Sequence, residues 1–93
     1  MKLAIIAITR NGARLGARLQ MSRPDVELFV LERFASEGGA TVTSFTGELK
    51  GLVARLWGQF DGFAFIMATG IVVRMVAPHL VGKGHDPAVV VLD

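Results

Sequence analysis

Two short segments combine a hydroxyl residue with a glycine directly after an apolar run: residues 9–12 (TRNG) and residues 68–70 (ATG). Where such a segment begins a helix, unpaired backbone N–H groups and the positive end of the helix dipole face outward. Helix ends of this kind bind carboxylates and phosphates, although ordinary helix capping also explains the same residue types. We therefore take both turns as candidate ligand-binding sites. The candidate residues are Thr9, Arg10, Asn11, Gly12, Ala68, Thr69 and Gly70.

Arg10 adds a cation to the first of these turns. Its guanidinium could bind a ligand carboxylate through two parallel hydrogen bonds. Arg14 and Arg18 continue the four-residue spacing and predict a basic stripe on the following helix, for which a solvated face is the ordinary interpretation. Neither turn matches the GxGxxG or the GxxxxGK[ST] pattern, so no motif supports dinucleotide or nucleoside triphosphate binding.

The histidines offer a second kind of chemistry. His79 and His85 are six residues apart and do not form the i, i+4 pair of a helical metal site. The chain has no cysteine, so thiolate ligands are excluded as well, and we expect no metal site and no cofactor. His85 and Asp86, in a predicted loop at residues 82–87, are candidates for a general base with an orienting carboxylate. A solvated pair of loop side chains is the alternative.

Composition excludes several classes of protein. The chain has 93 residues, of which 52% are hydrophobic and 19% charged, as expected of one globular domain. No apolar run approaches the roughly 20 residues of a membrane span. The net charge of +2 comes without clustered lysine and arginine, so it does not indicate nucleic-acid binding. We expect a cytoplasmic protein with no membrane or nucleic-acid partner.

The elements that position these turns follow from the apolar pattern. Strands are predicted at residues 3–8, 26–31, 63–67 and 88–92, and helices at residues 11–20, 46–60 and 70–80. Because the strands lack polar alternation, they predict a parallel sheet covered on both faces. The fold class is therefore α/β: a three-layer, doubly wound sheet of about four strands in the order 2-1-3-4, half of a flavodoxin- or Rossmann-like domain. Both candidate turns then lie at the carboxyl ends of the strands, where such sheets bind ligands.

Further details of packing can be predicted. Thr9 or Asn11 would cap the first helix, and Thr46 the second. The second strand would lie at the sheet edge, where Glu27 is tolerated, and residues 41–43 would form a short extended segment or a loop. The second helix would bury Leu52, Val53, Leu56 and Trp57 against the sheet.

The ordered run MATGIVVRMVAP, followed by DPAVVVLD, resembles the amino-terminal region of the cobalamin biosynthesis protein G (CbiG) family. The resemblance extends more weakly through FTGELKGLVARLWGQFDGF to AIIAITRNG at the start of the chain. It implies a cobalt-precorrin-5A hydrolase of anaerobic cobalamin (vitamin B12) biosynthesis, which opens a δ-lactone and releases acetaldehyde. The implied substrate is a cobalt tetrapyrrole ringed with carboxylates, so cobalt would enter only as part of the substrate.

The resemblance also bears on the extent of the chain. Family members continue beyond the position of Asp93, so we expect residues 1–93 to be a single domain, an amino-terminal fragment of a longer enzyme that is inactive by itself. The last predicted strand is apolar on both faces and lies at the sheet edge. It therefore predicts that two copies of the chain associate through the segment from Val89 to Leu92. A non-catalytic, flavodoxin-like module that binds small anions or another protein is the alternative function.

Overall fold

A computed structural model describes residues 1–82 and 84–93; Lys83, in the predicted loop at residues 82–87, lies outside the described part. The chain forms a parallel sheet with helices on both faces. Its strands are β1 (Leu3–Ala7), β2 (Glu27–Leu31), β3 (Thr43–Phe45), β4 (Gly62–Ile66) and β5 (Ala88–Val91). Its α-helices are α1 (Arg10–Ser22), α2 (Leu49–Leu56) and α3 (Thr69–Val76), with 3₁₀ helices at Glu32–Gly38 and Ala77–His79.

The sheet order is β3-β2-β1-β4-β5, and every neighbouring pair is parallel. The sheet has five strands instead of the predicted four or so, because β3 adds to one edge, but the four predicted strands keep their relative order 2-1-3-4. The parallel pairing of β4 with β5 across α3 is confirmed. The prediction that β2 is an edge strand is wrong, because β3 pairs with its carboxyl half from Phe29 onward. Glu27 stays exposed, since it precedes the part of β2 that β3 covers.

Two apolar layers fill the space between the sheet and its helices. Ile5 and Ile6 of β1 point to opposite faces, as successive strand residues must, and each enters a separate cluster. On one face Ile6 joins Phe65 and side chains of α2 and α3. On the other, Ile5 joins Leu28 and side chains of α1 and the 3₁₀ helix Glu32–Gly38. The three-layer prediction is confirmed.

The start of α2 differs from the prediction. The helix begins at Leu49, with Glu48 in the N-cap position and no side-chain cap hydrogen bond, so the expected Thr46 cap is wrong. Gly47 has φ +80°, a left-handed conformation that interrupts any helix before it begins. Leu52, Val53 and Leu56 are buried as predicted.

Trp57 follows the last residue of α2 and is only partly buried. Its ring stacks on Phe63, with centroids 5.4 Å apart and planes inclined by 10°. The ring of His79 lies 5.5 Å away on the outer side. The predicted contact with the sheet is therefore present, but the indole closes the margin of the core instead of filling its centre. No helix in the described ranges is long and apolar enough to cross a membrane.

Candidate functional site

The carboxyl ends of β1, β4 and β5 border a cleft of about 360 Å³. Because all strands are parallel, the turns that follow β1 and β4 reach the same edge of the sheet, as the sequence predicted. The two turns thus meet at one cleft, although Arg10, Thr69 and Gly70 are not among its lining residues. The lining residues are Thr9, Asn11, Gly12, Leu15, Ile66, Met67, Ala68, Leu92 and Asp93.

The first turn forms the amino-terminal cap of α1. Thr9 is the N-cap residue, and its Oγ1 accepts a hydrogen bond from the backbone N–H of Gly12 at 3.0 Å. Gly12 is buried, and a Cβ at this position would lie 2.9 Å from Thr9 Oγ1 and 3.2 Å from Ile66 Cγ2. Asn11 is exposed and borders the cleft. Of this turn, the amide side chain of Asn11 is therefore the group best placed to meet a ligand.

The second turn is organised differently. Ala68 occupies the N-cap position of α3 and makes no side-chain cap hydrogen bond. The backbone N–H and the hydroxyl of Thr69 instead donate to Asp93 Oδ2, each at 3.4 Å. Gly70 is exposed, and a Cβ there would meet only an Arg74 guanidinium nitrogen at 3.8 Å. The two Thr69 donors thus make only long, weak hydrogen bonds to the Asp93 carboxylate, and the carboxylate of a ligand could take its place.

Asp93 was not predicted as a site residue. It follows β5 and reaches the cleft from the opposite side to Asn11. The signal was present in the sequence, because the rule that placed the turns after β1 and β4 at the ligand edge applies equally to the residue after β5. The apolar wall formed by Met67 and Leu92 follows from the same positions.

Arg10 lies apart from the rest of its turn, on the β2 side of α1. Its Nε is 3.5 Å from Glu37 Oε2, whereas Arg14 Nε donates to Glu37 Oε1 at 2.9 Å. The guanidinium carbon of Arg10 is 5.8 Å from the centroid of the Phe34 ring. The structure therefore divides the predicted TRNG site between the cleft and the neighbouring 3₁₀ helix Glu32–Gly38.

His85 and Asp86 precede β5 and therefore lie at the amino edge of the sheet, opposite the cleft. The four residues of β5, at about 3.3 Å each, separate the two edges by roughly 13 Å. The Asp86 carboxylate accepts hydrogen bonds from the backbone N–H groups of Val81 at 2.9 Å and Gly82 at 3.0 Å. Its observed role is to shape the loop, and the catalytic role of the pair stays an untested prediction.

The described residues were also compared with the requirements of a metal site. Within residues 1–82 and 84–93, no group of three or more histidine, cysteine, aspartate or glutamate residues is arranged to hold a metal ion. The expectation that the chain uses no cofactor, and that cobalt belongs to the substrate, stays a prediction.

The parallel sheet and its two helical layers define a small doubly wound α/β domain with a cleft at the carboxyl edge of the sheet. Residues 51–93 match the family model described as "Cobalamin synthesis G N-terminal". The resemblance to the amino-terminal region of this family, which the sequence indicated, is thereby confirmed.

Two curated proteins share this resemblance. The cobalt-precorrin-5A hydrolase of Priestia megaterium is 33% identical over 92 residues, which cover 97% of this chain and 25% of that protein. The cobalt-precorrin-5A hydrolase of Salmonella typhimurium (strain LT2) is 34% identical over 91 residues, which cover 98% of this chain and 25% of that protein. The chain thus spans about a quarter of the length of these relatives. No solved structure matches it significantly.

Proposed function

We propose that this chain is the substrate-binding part of a cobalt-precorrin-5A hydrolase of cobalamin biosynthesis. The carrying observation is the identity of about a third with two such hydrolases over nearly the whole chain. The family-matched segment, residues 51–93, also contains β4, α3 and β5 and so supplies one side of the cleft. The matched region is therefore the region that carries Thr69 and Asp93.

The proposed reaction requires both a base and donors. The oxygen of water forms a bond to the lactone carbonyl carbon, the ring C–O bond breaks, and a base takes the proton of the water. Hydrogen-bond donors stabilise the negative charge that develops on the carbonyl oxygen. Opening of the lactone leaves a hydroxyl on the two-carbon unit. A base then takes the proton of this hydroxyl, its C–O bond becomes the carbonyl of acetaldehyde, and the carbon–carbon bond to the macrocycle breaks with its electron pair left on the macrocycle, which takes up a proton. Since His85 and Asp86 lie at the opposite edge of the sheet, we propose that this domain contributes binding and donors, and that proton transfer is not its role.

The chemistry of the cleft suits a carboxylated tetrapyrrole. Its volume of about 360 Å³ falls in the usual range of small-molecule sites. Leu15 and Leu92 line the cleft, are partly exposed and offer apolar surface for the face or edge of a macrocycle. Asn11 and Thr69 offer polar groups at the rim for ring carboxylates or the lactone oxygen. In the proposed complex, the macrocycle contacts the apolar lining of the cleft, and its carboxylates or lactone oxygen contact the polar groups at the rim.

A binding titration separates this proposal from the alternative, a non-catalytic module for small anions. The probes are cobyrinic acid, a cobalt corrin with free peripheral carboxylates, its heptamethyl ester, and citrate, each followed by calorimetry. We expect the acid to bind more tightly than the ester and citrate not to compete. Equal binding of citrate would favour the small-anion module, and binding of none of the three would contradict both functions.

A chimaera tests the connection to catalysis. The matching quarter of the Salmonella hydrolase is replaced by this chain, and acetaldehyde release from cobalt-precorrin-5A is measured beside the unmodified relative. We expect release to be retained, because the chain aligns with that quarter over nearly its whole length. A folded chimaera that binds the substrate poorly would contradict the proposed role.

We also propose that the chain self-associates through β5, as the apolar segment from Val89 to Leu92 predicted. β5 is an edge strand of the described sheet, and Val90 is 55% exposed on it. Unpaired edge strands with apolar side chains favour strand pairing between molecules. Light scattering should show a concentration-dependent dimer that Val90→Lys converts to a monomer. A native chain that stays monomeric at high concentration would contradict self-association through β5.

The cytoplasmic location of the protein stays a prediction.

A further inference from the structure

A second feature lies at the carboxyl edge, outside the cleft. The 3₁₀ helix begins at Glu32 directly after β2, so Arg33 and Phe34 stand beside the end of β1, where Arg10 begins α1. The guanidinium carbon of Arg33 is 5.0 Å from the centroid of the Phe34 ring, and that of Arg10 is 5.8 Å from the same centroid. Both distances are within the range of cation–π contacts. One aromatic ring thus holds two cations from different elements.

The Phe34 ring is a fixed platform for these cations. It is partly buried and packs against the apolar cluster under α1. Contact with the face of an aromatic ring orients an arginine without using its N–H donors. The ring therefore leaves the donors of both guanidinium groups available to an anion, apart from Arg10 Nε, which lies 3.5 Å from Glu37 Oε2.

Neither arginine is strongly engaged by the chain's own carboxylates. Arg33 has no ion pair within the described part of the chain. Arg10 is 62% exposed and 3.5 Å from Glu37, whose carboxylate already accepts a shorter hydrogen bond from Arg14 at 2.9 Å. Arg10 can therefore turn to a ligand while Glu37 keeps its partner. Two like charges near one ring repel each other, and an anion between them removes that repulsion.

We infer that Arg10 and Arg33 together bind one peripheral carboxylate of the tetrapyrrole, with Phe34 holding both guanidinium groups. The inference rests on the proposed function and adds Arg33 to the residues that contact the substrate. Guanidinium groups bind carboxylates through paired, charge-assisted hydrogen bonds. The cleft and the arginine pair adjoin, because Thr9 lines the cleft and β1 and β2 are neighbouring strands about 4.8 Å apart. A macrocycle in the cleft can therefore extend a side-chain carboxylate to the pair.

The test uses calorimetric titration of the 93-residue chain with cobyrinic acid and with its heptamethyl ester. Arg10→Gln and Arg33→Gln should each weaken binding of the acid by at least about tenfold, the loss expected for a charge-assisted hydrogen bond. Binding of the ester should not change, since the ester lacks the charge that the pair recognises. Arg18→Gln is the matched control: it removes the same charge from α1 two turns beyond Arg10, about 12 Å along the axis.

Two further variants sharpen the outcome. Arg33→Lys keeps the charge but loses the paired donors, so its affinity should fall between those of the native chain and Arg33→Gln. The double variant Arg10→Gln with Arg33→Gln should lose less than the two single losses combined, because both arginines bind one carboxylate. Melting temperatures should stay unchanged, since both side chains are exposed.

Three results would overturn the inference. Native affinity for the acid in Arg33→Gln would remove Arg33 from the site and leave the proposed function standing. Equal losses in Arg33→Gln and Arg18→Gln would show a general effect of net charge. Failure of the native chain to bind the acid at all would contradict the proposed function together with the arginine pair.

Discussion

The two turns at the carboxyl edge share a pattern of residue types, a hydroxyl residue and a glycine after an apolar strand, but have different structures. Thr9 accepts the hydrogen bond that caps its own helix, whereas Thr69 donates to the distant Asp93. Gly12 is buried where a side chain has no room, whereas Gly70 is exposed with open space around it. The first turn is thus built for helix packing, and the second keeps its donors at the surface, where we propose that a ligand binds.

Gly12→Ala should show the largest effect. The new methyl group would meet Thr9 Oγ1 at 2.9 Å and Ile66 Cγ2 at 3.2 Å, so it displaces the capping hydroxyl or strains β4. Overpacking of this kind costs about 1–3 kcal/mol of unfolding free energy. Urea denaturation measures the loss. Native stability in this variant would show that α1 does not depend on the close approach.

Thr9→Ala should follow. It removes the hydroxyl that accepts from the Gly12 N–H at 3.0 Å, and loss of an N-cap costs typically about 1 kcal/mol. Thr9→Ser keeps the hydroxyl and serves as the control, with most of the stability retained. If serine and alanine lower the denaturation midpoint equally, the cap does not explain the role of Thr9.

Gly70→Ala should act in the opposite direction to Gly12→Ala. Gly70 lies in the first turn of α3 without a positive φ, and the nearest atom to an added Cβ is 3.8 Å away. Alanine then stabilises by about 0.4–1 kcal/mol, because it restricts the unfolded chain. A higher melting temperature is the expected result. A loss of stability would mean that the two glycines are equivalent, which contradicts the comparison.

Thr69→Val should have the smallest effect on stability and a clear effect on binding. The hydrogen bond from Thr69 Oγ1 to Asp93 is 3.4 Å long and exposed, so its loss should change stability by less than about 0.5 kcal/mol. Affinity for cobyrinic acid should fall, since valine keeps the bulk but removes the donor. Unchanged affinity with a lowered melting temperature would make Thr69 a structural residue of α3.

Much of the fold follows from local sequence. Apolar runs without polar alternation identified β1, β2, β4 and β5 and their parallel pairing. β3 was anticipated only as a short extended segment or a loop at residues 41–43. Thr43 and Ser44 are exposed and only Phe45 is buried, so the strand has no apolar run of its own. Its pairing uses the edge of β2 that the sequence had left free, a contact between elements that no local pattern indicates.

The sequence predicted where the candidate site lies in the fold but not all of the residues that form it. The rule for the carboxyl ends of parallel strands located both turns at one edge before their contacts were known. The separation of Arg10 from Asn11 depends on Glu37 and Phe34, which come from a different element. Contacts between elements of this kind leave no local pattern, so neither the arginine pair nor the Thr69–Asp93 contact could be read from spacing.

We propose that ligands bind at the carboxyl edge of the sheet and not at the amino edge that carries His85 and Asp86. Amide chemical shifts of the ¹⁵N-labelled chain, followed during titration with diamagnetic cobalt(III) cobyrinic acid, test it directly. We expect the largest shift changes at residues 9–12, 33–34, 67–70 and 92–93, with small changes at His85 and Asp86. Changes centred on His85 and Asp86, or no changes at all, would contradict it.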